Sequence, residues 1–401
     1  MLQHLFRISR TIRCVRTFIW LWVLVAASAS AEPNASLSLL QAVKQQETPA
    51  LAPTSVLDML GLLYYGADGR TKNQLGALFG GASQDEVAAA AAKAKRQLPG
   101  YQRIGSVWFS NRVAITPEFL RAVENNWHFY ISAAPLRTDP AKAASDVNFW
   151  YDQKTNGYVK SVITPTELES KPDILAVIVT AFISPWKETF KTSKTKPMMF
   201  FRSAEEKFMV QMMTAKSKLS YYEDDAFQAL KLSYQAKDFE LLLFLPRNAR
   251  ESDAALGKLN AAYLETVLKG MKTYDVDLQL PRVEFTVSQD WREIFLKSKL
   301  AAPFTAGEAN FKRINNNDPE PLYIAKLKEE VLIRWNEEGT EARSIITGPM
   351  EPFGSAPELP KDKPATFHAN HPFAFLIYNK TEKDVAFAGI IQSPQQMQVA
   401  Q

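Results

Sequence analysis

The chain is poor in the residues that build catalytic and metal centres. It has one cysteine, Cys14, and four histidines among 401 residues. One thiol makes no internal disulfide and no Cys-rich zinc site. No Gly-x-Ser-x-Gly elbow, His-Glu-x-x-His motif or phosphate-binding glycine loop occurs. His128 follows Trp127 in an aromatic stretch. His368 and His371 precede Pro372 with no Cys or carboxylate cluster beside them. All three read as structural, and no catalytic group, metal or cofactor is expected. Internal repeats and low-complexity tracts are absent too.

An apolar run of the ~20 residues needed to span a membrane is also missing. The apolar stretch from Phe18 to Ala27 is shorter. It follows Arg7, Arg10, Arg13 and Arg16 and precedes Ala29-Ser30-Ala31. A basic segment, an apolar segment and a small-residue site form a secretory signal peptide, expected over residues 1–31. This segment holds four of the 47 basic residues and none of the 43 acidic ones. Residues 32–401 are therefore formally neutral, which points to neither nucleic acid nor membrane as a partner. Cys14 leaves with the leader. Stability must then come from one large core, so residues 32–401 are read as a single secreted domain. Asn34-Ala35-Ser36 and Asn379-Lys380-Thr381 are N-glycosylation acceptors that fit export.

Helical patterns dominate the first half. They cover residues 55–65, then 84 to about 98 behind a Ser83–Glu86 capping box, the segment after Thr116-Pro117, and 145–154. Strand patterns follow at 175–183, 239–245, 275–285 around Pro281, 332–335, 373–378 and 385–391. The mixture predicts an α+β fold. A long tract rich in Pro and small residues, 349–364, reads as an exposed loop.

Several segments, in order along the chain, resemble the serpin family. They include Gly66-Ala67-Asp68-Gly69-Arg70-Thr71, Val147-Asn148-Phe149-Trp150 with Thr155-Asn156-Gly157, and Ala181-Phe182 running on to Trp186 and Phe190. Val210-Gln211-Met212-Met213, Leu243-Phe244-Leu245-Pro246, Leu280-Pro281 and Phe285 also fit. Two matches are highly specific. One is Asn336-Glu337-Glu338-Gly339-Thr340-Glu341-Ala342, and the other is His371-Pro372-Phe373-Ala374-Phe375-Leu376-Ile377 running on to Gly389.

The resemblance implies helices packed on a large mixed main sheet, smaller sheets, and a reactive-centre loop over about 337–366. It implies a suicide substrate: an extracellular serine protease cleaves the loop and is trapped as an acyl-enzyme while the loop enters the main sheet as a strand. The protein would be a monomer and not an enzyme. The alternative is a non-inhibitory serpin used for binding, carriage or storage.

The residues bear on each requirement. The hinge comprises Glu337, Glu338, Gly339, Thr340, Glu341, Ala342, Arg343 and Ser344. In a strand, Thr340, Ala342, Ser344 and Ile346 share one face, small or apolar, and Glu341 and Arg343 share the other. Arg343, Ile345 and Pro349 oppose entry by bulk or by a missing N–H. Where the family's sheet opens, its polar cluster reads differently here. Ala52 replaces a Ser, Ser55 is kept, Ile178 stands for an Asn and Glu329 for a His. Either the gating network is lost, leaving a costly buried acid, or another network replaces it. Counting roughly seventeen residues from Glu337 puts the cleaved bond at Phe353-Gly354, with Met350 and Lys361 as fallbacks. Phe353 suits a chymotrypsin-like protease.

Overall fold

The computed structural model describes residues 36–40, 42, 50–94, 97–157, 159–249, 256–316, 321–340, 351–352 and 364–394. Its first long helix, Pro53–Gly66, opens on proline and is buried almost all round; Val56, Met59, Leu60, Leu62 and Leu63 have no exposure. That accounts for an apolar sequence with no polar stripe.

The capping box closes as expected. The Ser83 amide donates to Glu86 Oε2 at 2.7 Å, and the Glu86 amide donates to Ser83 Oγ at 3.2 Å. The helix it opens runs only over Gln84–Lys93, not to residue 98. Gln97–Leu98 instead pairs back onto Gln102 and Tyr101. Gly100, with φ of 76°, turns that hairpin. The helix after Asp139 starts earlier than its apolar pattern, at Pro140, because Asp139 caps it by accepting from the Lys142 amide at 2.9 Å.

The main sheet is mixed. The central strand Ile174–Phe182 lies between Tyr101–Ser110, antiparallel to it, and Lys326–Trp335, parallel to it. Val283–Asp290 flanks the latter antiparallel, and Tyr130–Ala134 flanks Tyr101–Ser110 in parallel. Both faces of the central strand are covered. Ile174, Ala176 and Ile178 pack into the helical core, while Leu175, Val177 and Val179 pack under helix Pro140–Lys154. Tyr151 on that helix donates to the Val177 carbonyl at 2.8 Å. Double coverage explains why this strand reads as a continuous apolar run.

Among the described residues, a nine-stranded sheet packs against the end of the main sheet. Its strands Phe239–Pro246, Phe373–Asn379 and Asp384–Ile391 lie side by side and are almost wholly buried. Phe182, Trp335, Phe375 and Phe387 fill the core shared by the two sheets.

Candidate functional site: the hinge and the seam beneath it

The strand Lys326–Trp335 ends in a tight reversal at Asn336. The Glu338 amide donates to Asn336 Oδ1 at 2.9 Å, and the Asn336 amide donates to the Gly339 carbonyl at 2.9 Å. The chain then returns antiparallel to the strand it just left, with Thr340 opposite Trp335. On its other side Gly339 and Thr340 pair with Pro185 and Ser184, just past the central strand. The first two residues of the returning segment thus already lie as a short strand between the two.

Gly339 is required there by contact. A Cβ would stand 2.4 Å from the Ser184 carbonyl oxygen and 2.5 Å from Pro185 Cα. Thr340 faces inward and is buried, with its hydroxyl 2.6 Å from that of Tyr234. Tyr234 in turn stacks on Trp186, whose indole N–H donates to the Asn336 carbonyl at 2.8 Å.

Glu337 fastens the reversal. Its carboxylate accepts three hydrogen bonds from Arg282, Nε to Oε2 at 2.9 Å and to Oε1 at 3.1 Å and Nη2 to Oε1 at 2.6 Å, and a short one from the Thr195 hydroxyl. Burial works against the charge, but Arg282 and Thr195 overcome it and hold the pKa below the usual value. Removing the cation leaves a carboxylate whose side chain is only 6% exposed. Arg282→Ala should therefore lower stability by about 2 kcal/mol, less than for a fully buried pair because Arg282 itself is partly exposed. Thermal unfolding checks this. Since the folded pKa is depressed, the pair's contribution is present above about pH 4.5 and lost as pH falls through the lower folded value. The difference between the two proteins should shrink over that acid range.

Below the hinge, the central strand and Lys326–Trp335 touch directly along a parallel seam from Lys326 opposite Leu175 to Val331 opposite Thr180. Ile178 and Glu329 lie opposite one another in it, both without exposure. A different network stands where the resemblance implied a Ser–Asn–His cluster. Glu329 Oε1 accepts from the Ala52 amide at 2.8 Å, and Oε2 accepts from the Trp291 indole at 3.0 Å. Thr180 donates to Ser55 Oγ at 2.7 Å. Glu329 thus ties the start of helix Pro53–Gly66 and helix Trp291–Phe295 to the seam. Burial pushes its pKa up to about 8, against the two N–H donors and with the help of neighbouring Glu330.

Arg282, Tyr234, Thr195 and Trp291 carry no motif of their own and were not singled out in the sequence. Pairing with the hinge or seam is what distinguishes them. Beyond Thr340, residues 341–350 and 353–363 lie outside the described residues, and with them Glu341, Ala342, Arg343, Ser344, Phe353 and Gly354. Glu351–Pro352 pairs in parallel with Glu188–Thr189. Asn34 also lies outside. Asn379 lies at the turn between Phe373–Asn379 and Asp384–Ile391. It is 2% exposed, and its Oδ1 accepts from the amides of Thr381 and Glu382 at 3.0 and 3.1 Å. Its carbonyl oxygen thus closes the turn between the two strands.

The family model for serpin, the serine protease inhibitor, matches residues 31–394. The chain belongs to the serpin family. It is 23% identical over 395 residues to Drosophila melanogaster serine protease inhibitor 88Ea, covering 90% of each. It is 26% identical over 286 residues to the Bos taurus leukocyte elastase inhibitor, covering 69% of this chain and 74% of that one. Among solved structures it resembles native protease nexin-1 with heparin (TM-score 0.80, 21% identity, 91% of this chain and 99% of that one). It also resembles human thyroxine-binding globulin (TM-score 0.76, 17% identity, 91% and 98%).

Proposed function

We propose that this serpin is exported through residues 1–31 and inhibits an extracellular chymotrypsin-like serine protease. The protease cleaves Phe353-Gly354, and the freed loop enters the seam between the central strand and Lys326–Trp335 before the acyl-enzyme is hydrolysed. One observation carries this reading. Thr340 is already paired on both sides, with Trp335 and Ser184, and Gly339 with Pro185, as a strand aimed down that seam, with Thr340 on the inward face its alternation requires. Ala342 and Ser344 continue that face with small side chains.

Carriage or storage is the second reading, and the seam favours it. The start of helix Pro53–Gly66 bridges the line that must part, with the Ala52 amide on Glu329 at one side and Ser55 Oγ on Thr180 at the other.

Mixing the protein with chymotrypsin and running a denaturing gel separates the two. Inhibition should give a protease–serpin band that survives denaturant. Phe353→Arg should move that band from chymotrypsin to trypsin. Clean cleavage with full protease activity left would reject the inhibitory reading, and an unmoved preference would reject the assigned bond.

A further inference from the structure

Helix Pro53–Gly66 packs against helix Gln84–Lys93, and a cavity of about 290 Å3 lies along them. Leu57 and Gly61 line it from the first helix, and Val87 and Ala90 from the second. It has about twice the ~150 Å3 that holds a benzene ring, which is room for two fused rings.

One end of the cavity is built around Gly61. A Cβ there would stand 3.1 Å from Val87 Cγ1, 3.6 Å from Phe79 Cζ and 3.7 Å from Trp127 Nε1. All three side chains line the cavity, and the indole meets Gly61 by its N–H edge. The Phe79 ring is steadied by stacking on Tyr64, with centroids 5.6 Å apart. Trp127 has no exposure, and its N–H finds no acceptor among the described residues. A buried donor left unpaired costs the hydration it lost, and a ligand oxygen that reaches it recovers that cost.

Charge selects no ion here. Asp58, Glu86, Glu382 and Asp384 line the cavity together with Lys93 and Arg103. Arg103 meets Asp58 at 3.0 Å, with side chains 2% and 10% exposed. Glu86 accepts from the Ser83 amide and hydroxyl at 2.7 and 2.8 Å. A charged ligand would compete with such pairs, whereas a neutral one leaves them in place. Its apolar body gains by leaving water, and one placed donor orients it.

We infer that this cavity binds a neutral two-ring molecule carrying a carbonyl oxygen, its rings against Gly61, Phe79 and Val87 and its oxygen on the Trp127 indole N–H. None of the hinge or seam residues lines it, so the inference stands or falls apart from protease inhibition.

Calorimetric titration of the full chain with 1-tetralone tests it, with tetralin, the same rings without the oxygen, as the control. The ketone should bind at one site. It should also move downfield one indole N–H resonance, the one missing from the Trp127→Phe spectrum. Trp127→Phe keeps an aromatic ring and removes the donor, so it should weaken the ketone about tenfold and leave tetralin unmoved. Ala90 is an exposed lining residue, so Ala90→Phe should keep the fold, fill the cavity from its mouth and abolish ketone binding. A ketone that does not bind overturns the inference. So does an equal loss of ketone and hydrocarbon in Trp127→Phe, or a ketone that still binds the Ala90→Phe protein.

Discussion

Glu329→Gln should flatten the pH dependence of stability between about pH 4.5 and 8. The carboxyl titrates near 4.5 unfolded and near 8 in the fold. A raised folded pKa means the native state holds the proton longer. The stabilisation is therefore fully present below about 4.5, falls as pH rises, and is gone above about 8. At one pKa unit per ~1.4 kcal/mol the swing is about 5 kcal/mol at most. Glutamine cannot ionise, so the variant should be the more stable protein at pH 9. At pH 5 it should be slightly the less stable, because an amide offers one acceptor to the two donors, Ala52 and Trp291. Denaturant unfolding at the two pH values measures this. A difference of the same sign and size at both would show that Glu329 does not titrate in this range.

Gly339→Val should leave the fold intact and expel the hinge. Two added methyl groups on a Cβ already 2.4 Å from the Ser184 oxygen cannot be accommodated between paired backbones. The Gly339–Thr340 strand must lift out, taking the Thr340–Tyr234 hydrogen bond with it. Under the proposed mechanism, insertion then starts from outside the sheet while acyl-enzyme hydrolysis proceeds at its normal rate. A penalty of a few kcal/mol on entry shifts that competition by tenfold or more. The number of serpin molecules consumed per protease blocked should rise accordingly on titration against chymotrypsin. Unchanged stoichiometry would separate hinge docking from inhibition.

How much of this was legible beforehand follows from distance along the chain. The Ser83–Glu86 box and the doubly covered strand Ile174–Phe182 are local patterns, and both appear where the residues put them. The helix after Ser83 was read too long, because an Ala-rich composition does not reveal that Leu98 prefers a partner at Tyr101. Glu329 was recognised as an acid in an apolar place. Its solution was invisible, since one donor lies 277 positions away, at Ala52, and the other is the indole of Trp291. Gly339 stood out within its motif, but the reason for glycine, the approach of Ser184 and Pro185, exists only in the fold. Asn379 shows the converse, a triplet whose sequence suggests a glycan and whose side chain closes a turn.

If the loop enters the seam as proposed, the reversal at Asn336 has a kinetic consequence. Trp335 and Thr340 already form the first rung of a hairpin, with its turn tied by Asn336 and Glu337. Every later rung joins residues next to a rung already made, so extension adds almost no loop-closure entropy. The register is likewise set by the turn, leaving no search among frames. The nucleus of a zipper is therefore in place before any bond is cut. The barrier left is the separation of the parallel seam below, from Thr180 and Val331 downward, where one ladder must break before two antiparallel ladders replace it.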